Sequence, residues 1–307
     1  MFSSERLKGL DVFVSVADLG SFTAAAARLN LSNSAVSKSV ARLEGRLGVR
    51  LFQRTTRRLS LTEAGQTFYR TCSNVLGELE DVEWALASEQ TEPQGRVRID
   101  LPASYGRLHV LPLILEFSKR YPRLQPHVSF SDRFVDPVYE GIDIVVRIGG
   151  SGAWSAGIGH RYFGTQRLIF CAAPGYLSEN GVPLVAEDLE HHRCVGYGQN
   201  DGMVGPWYFQ GQQAGDMERR IIHPHITVGD GEGEVMAAVA GLGIAQLPTW
   251  LVQRHLDAGS LIEVLPALAT DGLAMNLVWL KSREGLPKVQ ALLAYLGERL
   301  TLGGSLA

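Results

Sequence analysis

Side chains that bind nucleic acid recur between residues 23 and 58. Hydroxyl and amide groups can hydrogen-bond base edges or phosphates, while lysine and arginine neutralise phosphate charge. We predict DNA contacts from Thr23, Ser32, Asn33, Ser34, Ser37, Lys38, Arg42, Arg54, Arg57 and Arg58. Most serine-rich surfaces are simply solvated. The secondary structure predicted around these residues is therefore needed to distinguish a DNA-binding surface from an ordinary solvated one.

Short helix patterns and a tight turn carry most of these residues. An apolar stripe over residues 7–17 predicts a scaffold helix, and Ser21 can cap a second helix that runs to Leu29. Ser32 can cap a third helix, whose buried face recurs at steps of four, three and four. That face is formed by Val36, Val40, Leu43 and Leu47. The outer face carries serines and Lys38, which predicts the recognition helix of a helix-turn-helix.

A glycine and an arginine-rich segment follow the third helix. Gly48 can end that helix, and residues 51–62 alternate β-type residues around three arginines, which predicts a small hairpin, or wing. Of the 29 Lys and Arg in the chain, 10 lie in residues 1–62, against only 4 of the 32 Asp and Glu. The formal charge of −3 therefore hides a basic head on an acidic body, as phosphate binding by one domain predicts.

A long helix is predicted after the wing. Thr62 can cap it, and its apolar or near-apolar residues step alternately by four and three, as in a coiled-coil seam. The seam consists of Phe68, Cys72, Val75, Leu79, Val82 and Leu86. A helix from Thr62 to Ser88 would span on the order of 40 Å, and a second copy of the chain is its expected partner. Packing on the chain's own body is the alternative, because three heptads make a short seam.

The composition changes after residue 88. The stretch 88–96 is polar and contains Pro93 and Gly95, so it is the best candidate for a linker. From Val97 onward, apolar strands alternate with helices, which predicts an α/β sheet covered on both faces. Residues 235–253 carry no charge, but glycines and a proline interrupt them, so we expect a buried helix and a core strand there rather than a membrane span.

The sequence offers little for catalysis. It lacks a nucleophile elbow, a metal-ligand motif and a phosphate loop, so we expect neither an enzyme nor a cofactor. Three scattered cysteines and the absence of a signal-peptide pattern predict a cytoplasmic protein. Two alternatives stay open, namely an α/β enzyme whose head mediates assembly and an architectural DNA protein without an effector. Salt-sensitive, sequence-specific DNA binding would separate them from a regulator.

The chain resembles the LysR-type bacterial transcriptional regulators over essentially its whole length. The resemblance is carried by GSFTAAAARL at 20–29, SNSAVSKSVARLE at 32–44, LFQR at 51–54, LTEAG at 61–65, LPASYGR at 101–107, EGIDIVVRIG at 140–149, AAPGYL at 172–177 and GLGIAQLPTWLV at 241–252. It implies an α/β protein that binds double-stranded promoter DNA as a homodimer or homotetramer and responds to a small-molecule effector. If the chain is an activator, RNA polymerase is a further expected partner.

The resemblance also implies a domain organisation. A winged helix-turn-helix would occupy residues 1–62 and a linker or dimerisation helix residues 63–90. An effector domain of type 2 periplasmic-binding-protein fold would occupy residues 91–307. Its subdomain I would comprise about 95–165 and 270–307, and its subdomain II about 166–269. Strands near 164–167 and 269–273 would cross between the two.

Five residues are candidates for the effector cleft. Ser104 lies at a predicted helix start, where a hydroxyl and free N–H groups suit a carboxylate or another anion, although a plain N-cap is an equal alternative. Ile148, Gly149, Asp230 and Pro248 match positions that line the cleft in relatives. Nearby, Arg147 could bind an anionic effector but is better explained by a structural ion pair, and Trp154 or Trp207 could stack on a ring.

Overall fold

The computed structural model describes residues 9–54, 59–87, 92–150, 154–198, 202–210 and 217–300. The chain divides into two compact units. The first comprises Met1–Thr91 with Val138–Gly141, and the second comprises Glu92–Pro137 with Ile142–Ala307.

The first unit contains the helices and hairpin that the sequence predicts. Its elements are α1 (Leu10–Leu19), α2 (Phe22–Leu29), α3 (Asn33–Leu47), β1 (Phe52–Arg54), β2 (Leu59–Leu61) and α4 (Glu63–Ala87). The hydroxyls of Ser21 and Ser32 accept hydrogen bonds from Ala24 N and Ala35 N, at 3.3 and 3.2 Å. Both serines are therefore the N-caps of α2 and α3, as expected. The β1 and β2 strands pair antiparallel.

The core of the first unit revises the predicted seam of α4. Cys72 is only 2% exposed and packs among the buried side chains of α1–α3, and the Phe68 ring lies 5.3 Å from the Phe13 ring. The prediction that Phe68 and Cys72 face a second chain is therefore wrong. The first turns of α4 instead cover the apolar faces of the preceding helices, which would otherwise be exposed to water.

The later part of α4 presents a different surface. Val75 is half-buried and Leu79 is 47% exposed, so an apolar side chain remains there for a partner. Val82 and Leu86 belong to the helix, but their side chains lie outside the described residues.

The second unit is the α/β body. Its strands are β3 (Gly95–Leu101), β4 (Leu124–Phe130), β5 (Ile144–Ile148), β6 (Ile158–Ala172), β7 (Cys194–Tyr197), β8 (Trp207–Gln210), β9 (Met217–Arg220), β10 (Ile226–Val228), β11 (Ile244–Pro248), β12 (Ile262–Val264) and β13 (Thr270–Leu280). Its helices are α5 (Ala103–Tyr105), α6 (Leu111–Arg120), α8 (Pro174–Asn180), α9 (Gly231–Val239), α10 (Thr249–Asp257) and α11 (Pro287–Arg299), while all of the short helix α7 (Pro137–Glu140) except Pro137 belongs to the first unit. A π-helical turn, Gly106–Val110, joins α5 to α6.

Two long antiparallel strands, β6 and β13, run through the whole body. Within the described residues, the sheet order is β10-β7-β11-β6-β13-β5-β3-β4, with β12 also paired to β6. One half of the body therefore gathers around β3, β4 and β5, and the other around β7, β10 and β11. Gly164 pairs with Met275 and Gln166 with Leu273, so the segments expected to cross lie side by side in these strands. Gly272 has φ +70°, and a Cβ there would lie 1.5 Å from Gln166 O, so this position requires glycine.

The uncharged stretch 235–253 is helix α9 followed by the buried strand β11, as the interruptions in its sequence predict. Among the described residues, no helix is long and apolar enough to cross a membrane.

Candidate functional site

The first candidate surface is the outer face of α3. Lys38, Arg42 and most of the predicted DNA-contacting hydroxyl and amide residues are exposed, and Ser37 is half-buried. The surface is partly pre-arranged, because Asn33 Nδ2 donates to Thr23 Oγ1 at 3.4 Å and Arg42 Nε donates to Lys38 O at 3.3 Å. Its hydroxyls and cations match the groups of a DNA backbone and of base edges.

The wing is described only in part. Arg54 ends β1, but its side chain lies outside the described residues, and so do Arg57 and Arg58 altogether. The wing is held against α3 by Glu44, a residue for which the sequence predicted no role. The Oε1 of Glu44 accepts hydrogen bonds from Leu51 N at 2.7 Å and Phe52 N at 3.2 Å. An acidic residue near a helix C-terminus opposes the helix dipole, and this was the available signal that Glu44 has a partner.

The second candidate site is a cavity of about 270 Å³ between the two halves of the body. Of the five predicted effector residues, Ser104, Ile148 and Pro248 line it. Ser104 is 6% exposed, and its Oγ has no hydrogen-bond partner among the described residues. Pro102, not Ser104, is the N-cap of α5, so the plain N-cap explanation of Ser104 is wrong. A buried hydroxyl without a partner is costly, and this one lines a cavity, so it can form a hydrogen bond with a molecule there.

The other two predicted cleft residues do not line the cavity. Gly149 has φ +75°, and its N–H donates to Ala274 O of β13 at 2.7 Å, which continues the pairing of β5 with β13 by one residue. Asp230 is the N-cap of α9, because its Oδ1 accepts from Gly233 N at 3.1 Å. Its second oxygen pairs with Arg107 Nη2 at 3.0 Å. Both residues therefore serve the frame around the cavity, and the prediction that they line it is wrong.

Several polar side chains at the cavity escaped sequence analysis. Asp132 accepts from Ala103 N at 2.9 Å in one half of the body and from the Tyr197 hydroxyl at 2.8 Å in the other. Burial and Asp132 raise the pKa of Tyr197, so its hydroxyl keeps its proton. No local sequence motif predicts this hydrogen bond, because the two residues are 65 positions apart and are brought together only by the sheet topology.

Glu234, on α9, is the most unusual residue of the cavity. It is 6% exposed, and burial, with a smaller contribution from Asp230, raises its pKa to about 9. The other neighbouring carboxylate, that of Glu232, is engaged by Arg107. The sequence around it, GDGEGE at residues 229–234, does not distinguish the buried Glu234 from the half-buried Glu232 two residues earlier.

Two of the groups expected to bind an anion, the Arg147 guanidinium and the first N–H of α5, are already engaged. Arg147 lines the cavity, but its Nη1 and Nη2 donate to Arg133 O at 2.8 Å and Val135 O at 3.0 Å. The Ala103 N–H at the start of α5 is bonded to the Asp132 carboxylate. These two groups are therefore already committed within the protein, whereas the Ser104 hydroxyl is not. Of the two candidate tryptophans, Trp207 lines the cavity, whereas Trp154 stacks on His160 with ring centroids 5.5 Å apart.

A winged helix-turn-helix with an exposed hydroxyl and cationic face, followed in the same chain by a body with a polar cleft, defines a ligand-responsive DNA-binding regulator. Comparisons with known proteins agree. Residues 7–66 match the model of the "Bacterial regulatory helix-turn-helix protein, lysR family", and residues 90–301 match that of the "LysR substrate binding domain". The chain belongs to the LysR family of transcriptional regulators.

Relatives and solved structures extend over nearly the whole chain. The transcriptional regulator CrgA of Neisseria meningitidis serogroup C is 34% identical over 95% of this chain and 96% of its own. The transcriptional activator TtdR of Escherichia coli is 32% identical over 91% of this chain and 87% of its own. The crystal structure of CrgA from N. meningitidis matches with a TM-score of 0.59 at 31% identity and covers 97% of this chain and 99% of that one. The chain is thus a LysR-type transcriptional regulator with an effector-binding domain.

Proposed function

We propose that α2, α3 and the wing bind promoter DNA through the ten residues identified in the sequence, and that the cavity around Ser104 holds the effector. The DNA-binding part is supported by the exposed face of α3, where Lys38 and Arg42 lie beside hydroxyl side chains. The effector part is supported by the buried Ser104 hydroxyl, which lacks a partner among the described residues. In this proposal residues 1–62 form the DNA-binding domain, 63–90 the dimerisation helix and 91–307 the effector domain.

The proposal includes an assembly and a cellular setting. Two chains would pair through the later part of α4, where Leu79 is exposed, and dimers would pair further into tetramers. The protein would act in the cytoplasm, where promoter DNA lies, and would contact RNA polymerase if it activates transcription. No catalytic step is required, because an effector that binds one arrangement more tightly is enough to shift a regulator between states.

A salt series with one lysine variant tests the DNA contact. Lys38→Ala removes one phosphate-neutralising charge, so the slope of log K against log salt concentration should fall by about 1, with weaker binding on all sequences. Lys119→Ala is the matched control, because Lys119 is an exposed lysine on α6 in the second unit. Fluorescence anisotropy on a promoter fragment selected from the host genome provides the measurement.

The outcomes separate specific binding from charge attraction. We expect the wild type to retain a few twofold-symmetric promoter sites from fragmented genomic DNA and Lys119→Ala to behave like it. An unchanged salt slope in Lys38→Ala would remove that residue from the interface. Uniform retention of all fragments by the folded wild type would overturn sequence-specific regulation in favour of an architectural role.

A further inference from the structure

Some polar side chains of the cavity already have hydrogen-bond partners within the protein, and others do not. The side-chain amide of Gln246 is bonded to the backbone of Tyr208 at 2.8 and 2.6 Å, and Gln166 Oε1 accepts from Trp250 Nε1 at 3.3 Å. Among the described residues that line the cavity, the Ser104 hydroxyl on one wall is buried without a hydrogen-bond partner, and Glu234 on the other wall is a carboxyl group that is only 6% exposed. These two groups are therefore available to a ligand.

The two groups lie close to the same helix turn. A Cβ placed on Gly231, the first residue of α9, would lie 3.4 Å from Ser104 Oγ and 3.2 Å from Leu251 Cδ2. Glu234 lies three residues further along this helix, and both it and Gly231 line the cavity. A ligand between the halves of the body can therefore reach the Ser104 hydroxyl and the Glu234 carboxyl together.

The charges around the cavity favour a cation. Its acidic lining residues are Asp132 and Glu234, and its basic lining residue is Arg147, whose guanidinium is bonded to two backbone carbonyls and stacks on the Phe134 ring at 4.7 Å. An anion in this space would approach two acidic side chains without an uncommitted cation to compensate. A buried carboxyl group such as that of Glu234 is instead compensated by a cationic hydrogen-bond donor.

Aromatic rings complete the site. Tyr105 and Trp207, which are 5% and 4% exposed, line the cavity together with Trp250, and the Tyr105 and Trp250 rings meet edge to face at 5.1 Å. Faces of such rings attract cations and also pack against apolar carbon. The volume of about 270 Å³ suits a molecule of roughly one ring and a short chain, below the size of a drug-like ligand.

We propose that the effector is a small organic amine whose protonated nitrogen pairs with the Glu234 carboxylate while its carbon skeleton packs against the aromatic rings and its polar end reaches Ser104. This inference rests on the proposed function, since it takes the cavity as the effector site. The effector proposed is therefore a cation rather than the anion expected from the sequence, because the charged side chains that line the cavity complement a cation.

The proposal has a proton linkage. Because the pKa of Glu234 is raised to about 9, the empty site holds a neutral carboxyl at pH 7, and a bound ammonium expels that proton to solvent. Affinity for an amine should therefore rise with pH up to about 9 and fall as the pH is lowered. The titratable or charged groups that face Glu234 are Asp230 on its own helix, Tyr197 on β7, Cys171 on β6, and the cavity residues Asp132 and Arg147.

Three probes with similar skeletons test the inference by calorimetry on the full chain. These are 2-phenylethylamine, the uncharged 2-phenylethanol and the anionic phenylacetate. We expect the amine to bind at least about tenfold more tightly than the other two, as a buried charge-assisted bond allows. Its Kd should fall between pH 6.5 and 8.5 by up to about tenfold per pH unit, because an alkylamine keeps its proton below about pH 10.

Two variants of α9 make the test specific. Glu234→Gln keeps the size of the side chain but removes its charge, so both the preference for the amine and its pH dependence should disappear. Met236→Gln is the matched control, because Met236 is 74% exposed on the same helix, and it should bind like the wild type. Circular dichroism should show both variants folded.

Different results would refute the claim that the effector is a cation and the claim that the cavity is the effector site. Tighter binding of phenylacetate, together with a shift in promoter binding, would leave the cavity as the effector site and refute the cation. An amine affinity that is unchanged in Glu234→Gln would also refute it. If none of the three probes binds at millimolar concentration while promoter DNA is still bound, the amine inference and the assignment of the cavity both fail, and DNA recognition stands alone.

Discussion

At the residue scale, Glu44 links recognition helix and wing. Its carboxylate accepts two backbone hydrogen bonds from Leu51 and Phe52, whose side chains are 1% and 6% exposed. Glu44→Ala would leave both N–H groups without this acceptor, at a cost of about 1–3 kcal/mol. We therefore expect a lower melting temperature, faster amide exchange across residues 51 and 52, and weaker DNA binding.

Glu44→Gln is the control for that prediction. The amide oxygen of glutamine can accept from the same N–H groups, so most of the stability should return, with only the charge-assisted part of the bonds lost. Equal amide exchange in the wild type and Glu44→Ala would show that these bonds do not hold the wing.

Sequence reasoning at this scale succeeds where a residue acts locally. Ser21 and Ser32 were recognisable as caps because a cap contacts its own first turn. Glu234 and Asp132 were not recognisable, because their roles arise from burial and from partners brought together by the sheet. Ser104 lies between these cases, since its helix could be located from sequence but the missing partner of its hydroxyl could not.

At the element scale, the approach of α4 to the wing depends on one glycine. A Cβ on Gly65 would lie 2.0 Å from Leu51 O, whereas a Cβ on Gly77 of the same helix would meet no atom within 4 Å. Gly65→Ala should therefore destabilise the first unit by about 1–3 kcal/mol through forced displacement of the wing. Gly77→Ala should stabilise it by about 0.5–1 kcal/mol, because alanine restricts the unfolded chain.

Thermal unfolding of both variants, with DNA affinity measured in parallel, checks the contrast. Similar melting temperatures for the two variants would contradict the close packing of α4 on the wing.

The packing of α4 within the first unit also explains why the periodicity of the sequence located this helix correctly but assigned its first turns to the wrong partner. A four-three repeat marks an apolar stripe, and the stripe alone does not say whether the chain's own core or a second copy covers it.

At the scale of the whole molecule, the order of elements was predictable and the partner surfaces were not. Alternating strands and helices predicted the α/β body, and β6 and β13 contain the segments expected to cross. The basic head and acidic body followed from charge counts alone. The cavity required the structure, because its walls come from segments as far apart as Ser104 and Trp250.

Assembly provides the prediction at this scale. Since Phe68 and Cys72 belong to the core of the first unit, dimerisation through α4 has to use its later turns, where Leu79 is 47% exposed. Leu79→Asp would place a charge in that apolar contact and should convert dimers to monomers in light scattering at micromolar concentration, whereas Leu79→Met should stay dimeric. Monomers should also bind a twofold-symmetric promoter site far more weakly, because they lose the second half-site. A Leu79→Asp protein that remains folded and dimeric would locate the dimer interface elsewhere in the chain.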